Sequence, residues 1–72
     1  MNNEIANLYE KIEKMRPFLN GRGKEVAEIA GLEYSTYLYY MRGIGKSPAK
    51  LKAIIRAGKI VVNQIQAEMS EI

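Results

Sequence analysis

Seventy-two residues at 8.2 kDa make one small domain, and a chain of this size buries only roughly 60% of the surface that it exposes when unfolded. Cysteine and histidine are both absent, which excludes a disulfide framework, a thiolate zinc site, and the commonest general base and metal ligand. The composition, 47% apolar and 26% charged with two prolines, is that of an ordinary globular chain, with no apolar run near the roughly 20 residues of a membrane span. Met1-Asn2-Asn3-Glu4 lacks the basic start of a signal peptide. Together these features predict a single soluble, cytoplasmic domain over 1–72 that is not an enzyme and uses no cofactor, metal or membrane.

Along the chain, Ile5, Leu8, Tyr9, Ile12 and Met15 recur at three- and four-residue steps, which predicts a first helix with one apolar face. Asn2 or Asn3 is positioned to cap it, and Pro17 is expected to end or kink it, because proline pushes its predecessor out of the α region. Phe18 and Leu19 are expected to be core contacts, and Asn20-Gly21-Arg22-Gly23 is a turn by composition. A short second helix follows from Lys24 to Ala30, with Gly31 suited to a positive-φ exit.

A third helix is expected from about Tyr34 to Arg42, closed by Gly43. Ser47-Pro48 is a strong helix start: serine caps, and proline at the first helical position loses no hydrogen bond. Beyond it, Leu51, Ile55, Gly58, Val62, Ile65 and Met69 form a near-heptad seam, with Gly58 marking either a junction of two helices or a close-packing notch in one. No segment has a strand pattern. The fold class is therefore all-α, with four or five short helices.

Charge is uneven. The net charge is only +3, but Arg42 to Lys59 holds six basic residues and no acid, the usual footprint of a polyanionic partner. Two weaker patterns carry little. Gly43-Ile44-Gly45-Lys46-Ser47 ends like a phosphate-binding loop, but its earlier glycine would fall at Tyr40 and no strand precedes it. Glu25, Glu28 and Glu33 read as solvated helix residues.

The run KEVAEIAGLEYSTYLYYMRG, from Lys24 to Gly43, places Val26, Ala27 and Ala30 on one inner face, Gly31 at a bend, and Tyr37, Tyr40 and Met41 on another. It resembles the helix-turn-helix of lambda-repressor/Cro-like and lac-repressor-like transcriptional regulators, with Pro48-x-x-Leu51 similar to the next helix in Cro-like domains. It departs from them at Glu33, where those families place a capping serine, at Tyr37, where they place Val or Ile, and in the long connection from Pro17 to Gly23. The resemblance implies that the third helix enters the major groove of double-stranded DNA with its N-terminal residues nearest the bases.

Carried over by position, the base-contacting residues are Tyr34, Ser35, Leu38, Tyr39 and Arg42. Ser35, Tyr39 and Arg42 fall within about 60° of one another at 100° per residue. Gly23 and Lys24, at the start of the preceding helix, and Lys46, Lys50 and Lys52 are the expected phosphate contacts. The implied function is a small transcriptional repressor of phage or mobile-element type on a palindromic operator. The alternative is a protein-binding adaptor or antitoxin-like module that reads no bases. Residues 60–72 are expected either to cover the core by folding back on the first helix or to form a homodimer through Val61, Val62, Ile65 and Met69, aided by Ile72.

Overall fold

The computed structural model describes residues 3–70, which form four α-helices: α1 (Asn3–Leu19), α2 (Gly23–Ala30), α3 (Tyr34–Met41) and α4 (Pro48–Ser70). No strand occurs among the described residues, and none of these helices is long and apolar enough to cross a membrane. Asn2 as a cap of α1 and Ile72 as a partner contact lie outside the described residues.

Helices α1 and α4 run side by side in the same direction. Lys52 lies 3.5 Å from Glu4 near their starts, and Gly58 faces Met15 and Leu19 farther along. Leu8, Ile12 and Leu19 of α1 are buried against Leu51, Ile54, Ile55 and Val61 of α4. Helix α2 packs on α4 with Val26 and Ala27, and α3 packs on α2 and closes the core with Tyr37 and Tyr40. Helix α4 is still beside Met15 and Phe18 at Val62, and from there it continues for about 12 Å at 1.5 Å per residue, beyond the end of α1. It passes the turn after α1, where Glu68 approaches Arg22 at 3.8 Å.

Two sequence expectations are corrected, and two open alternatives are decided. The chain passes Pro17 without leaving the helix, and α1 runs on to Leu19. Proline in the last turn removes a single main-chain donor, and burying Leu19 offsets that loss. Phe18, expected in the core, is 49% exposed, because it falls about 100° round the helix from Leu19.

Of the two alternatives at Gly58, the structure takes the single helix: α4 is uninterrupted over 23 residues. Its start is as expected: the Ser47 hydroxyl accepts a bond from the Lys50 N–H at 3.4 Å, and Pro48 is the first helical residue. Its buried face is wider than the seam, taking in Ile54, Ala57 and Val61, because α4 serves two neighbours, α1 and α2. Of the two alternatives for residues 60–72, the fold-back on Ile5, Leu8 and Ile12 is not taken by the described residues; the first half of α4 covers that face. Gly58 faces the chain's own Met15 and Leu19, so the notch belongs to this core.

Candidate nucleic-acid interface

Helix α2 ends because Gly31 adopts φ 75°, a left-handed conformation that costs glycine nothing. The exit satisfies two otherwise orphaned carbonyls. The Gly31 N–H donates to Glu28 O at 3.1 Å, and the Leu32 N–H donates to Ala27 O at 2.9 Å, the paired bonds of a Schellman ending. Leu32 packs against the core and fixes the angle at which α3 leaves. Helix α3 starts at Tyr34 with Glu33 as its cap residue, and no side chain bonds the cap. Its position rests instead on the burial of Tyr37 and Tyr40.

Tyrosine at the inner position needs room, and Gly23 supplies it. A Cβ on Gly23 would stand 3.0 Å from the Tyr37 ring and 3.2 Å from that of Tyr34. The two rings stack at 6.1 Å and 16°, and the Lys24 ammonium lies 5.8 Å from the centre of the Tyr34 ring. Tyr34, Gly23 and Lys24, assigned separately by position to bases and phosphate, therefore form one cluster between the start of α2 and the first residue of α3.

Arg16 secures the other end of α3. Its guanidinium donates to the Met41 carbonyl at 2.8 Å and to the Glu13 carboxylate at 2.6 Å. At the exit, Gly43 takes φ 83°. Tyr40 then holds the connection that follows, with its hydroxyl accepting the Ser47 N–H at 3.2 Å.

The face that remains open carries Ser35, Leu38, Tyr39 and Arg42, all exposed, and α3 contains no acidic residue. Tyr39 is 48% exposed and Leu38 38%. Beside this face lies a groove of about 830 Å³, between the end of α1, the following turn, the start of α2 and the flank of α3. Arg16, Arg22 and Lys24 line it together with Tyr34 and Leu38, but Arg22 is already near Glu25 and Glu68, at 3.8 Å each. Arg16 and Arg22 were not singled out from the sequence. No periodicity marks them, since their roles come from contacts between distant elements.

The three lysines expected on phosphate do not form one set. Lys46 and Lys50 are exposed in the connection and in the first turn of α4. Lys52 lies about 160° round the helix from Lys50 and is paired with Glu4 on the outer side of α1. Of the residues expected at a dimer contact, Val61 is fully buried in this chain's core and has no surface for a partner. Val62 and Ile65 are half-buried against the same core, and Met69 is 67% exposed. Compared with known proteins, the chain matches no family model, no curated protein and no solved structure.

Proposed function

We propose that this protein binds double-stranded DNA through α3 and acts as a small transcriptional repressor of phage or mobile-element type. The observation that carries this reading is the open face of Ser35, Leu38, Tyr39 and Arg42, free of acid and held rigidly by Tyr37, Tyr40 and Arg16. Serine can bond either kind of base, leucine can meet a thymine methyl, and arginine can take guanine or phosphate. Lys46 and Lys50 follow α3 in the chain and can neutralise phosphates, which sets register without reading sequence. Occupying an operator is sufficient for repression and needs no further domain.

A single unit of this size reads only a few base pairs, so the reading includes a homodimer on a palindrome, with half-sites about 34–36 Å apart. Ile65 and Met69, on the part of α4 that outruns α1, are the surface for that pairing, whereas Val62 lies beside Met15 and Phe18 of α1.

A second reading has one specific observation in its favour. Leu38, Tyr39 and Ile44 are all more than a third exposed, which is more apolar than a phosphate-facing surface requires. On that reading α3 docks a protein. Titrating a mixed-sequence duplex at several salt concentrations separates the two. DNA binding predicts affinity falling steeply, with a slope set by the phosphates contacted. Absence of binding at low salt favours the protein partner.

A further inference from the structure

A second basic surface lies on the opposite flank of α1. Two cavities of about 280 Å³ and about 250 Å³ lie end to end in the seam between α1 and α4, sharing Lys59. Their floor is apolar, made by Leu8 and Met15 from α1 and by Ile55 and Val62 from α4. Both rims are cationic, with Lys11 and Lys14 on one and Lys52, Arg56 and Lys59 on the other. Phe18, 49% exposed, stands at the far end. From Leu8 to Phe18 the groove runs about 15 Å at 1.5 Å per residue, close to three turns of helix.

Lys52 is paired with Glu4, but Lys11, Lys14, Arg56 and Lys59 have no carboxylate partner among the described residues. Lys52 and Arg56 are like charges four residues apart, a spacing that weakens a helix. An exposed phenylalanine beside the seam adds apolar surface with no intramolecular use.

We propose that this groove receives an acidic amphipathic helix of a partner protein, about three turns long, with apolar residues on the floor and carboxylates along both flanks. Helix-in-groove recognition has these requirements: an apolar trough for anchors at i, i+3/i+4 and i+7, with complementary charge on the rims. Phe18, Met15 and Val62 offer nothing to a phosphate backbone, which argues against nucleic acid here. A flat lipid surface would meet Phe18 but not Leu8 and Ile55, which are only 7% exposed between the two helices. Lys11 lies about 160° round α1 from Tyr9 and about 140° from Arg16, the two α1 residues bonded to the α3 side. The groove therefore remains open while α3 is occupied, and it does not depend on what α3 binds.

The test uses the full chain and a labelled synthetic helical peptide of about 14 residues, with leucines on one face and glutamates on both flanks, against a scrambled peptide of equal composition. Binding followed by anisotropy should saturate and be about tenfold or more tighter for the amphipathic peptide than for the scramble. The combined variant Lys11→Gln, Lys14→Gln, Arg56→Gln, Lys59→Gln should weaken it at least about tenfold, and Phe18→Ser about fivefold, with unchanged melting temperatures. In the wild-type protein, the peptide should shift the amide resonances of 8–18 and 52–63 and leave those of 35–42 in place. Equal binding of both peptides, shifts centred on α3, or displacement of the peptide by duplex DNA would each overturn the proposal.

Discussion

The Tyr9 hydroxyl donates a 2.5 Å hydrogen bond to the carbonyl oxygen of Gly45, joining the middle of α1 to the connection between α3 and α4. That connection also lies over the buried Tyr40 ring, so one bond and one ring fix how α3 is handed on to α4. Tyr9→Phe removes the bond and keeps the ring. It should cost about 1 kcal/mol in urea denaturation, in the range of a single half-buried hydrogen bond.

Two glycines give opposite outcomes for the same substitution. A methyl group on Gly45 would overlap the Tyr40 ring, which is buried and cannot yield, so Gly45→Ala should destabilise by about 1–3 kcal/mol. A methyl on Gly58 would meet the sulfur and terminal carbon of Met15 at 3.1 and 3.0 Å, the flexible end of an adaptable side chain. Glycine inside α4 costs roughly 1 kcal/mol against alanine, so Gly58→Ala should be neutral or stabilising by up to about that amount. Thermal melts of the two variants beside wild type decide both signs.

Alkaline pH should selectively weaken the fold. Burial, then the neighbouring Tyr40 and Tyr39, raise the Tyr9 pKa above its ordinary value near 10. Burial, then Tyr34, raise that of Tyr37. A phenol whose folded pKa is raised ionises first in the unfolded chain, so the unfolded state binds fewer protons above pH 10. Stability from these two groups is therefore intact below about pH 10 and declines as pH rises beyond it. Urea midpoints at pH 7, 9 and 10.5 should show the decline, and Tyr37→Phe should reduce it.

Much of this architecture was legible in the sequence because local chemistry agreed with packing. Gly31 at the bend, Ser47-Pro48 at the start of α4 and the inward set of Tyr37, Tyr40 and Met41 follow from caps and helical period. What periodicity could not supply was the number of neighbours of each helix. Helix α4 packs against two, so its buried face took in Val61, which the sequence alone placed at a dimer contact. Pro17 was overruled by the burial of Leu19 two residues later. Of the candidate site, the outward face of α3 followed from spacing. The grip of Arg16 on Met41 and the position of Lys52 beside Glu4 arise only in three dimensions.

Lys46→Gln and Lys50→Gln should each lower affinity for every duplex alike and flatten the salt slope by about one unit, as loss of a phosphate contact does. Lys52→Gln should leave the slope unchanged, because Lys52 stands with Glu4 on the outer side of α1. Filter binding across a salt series distinguishes the three variants.

Selection of bound sites from a pool of random duplexes, carried out in parallel with wild type, Tyr39→Ala and Arg42→Ala, addresses most directly whether α3 reads bases. Wild type should enrich a palindrome with half-sites about one helical turn apart. Each variant should melt like wild type yet bind that site more weakly by about 1–3 kcal/mol, with preference relaxed at particular positions. A pool that stays unenriched with wild type, or the same palindrome recovered at equal affinity by both variants, would contradict the assignment of α3 as the DNA-reading helix.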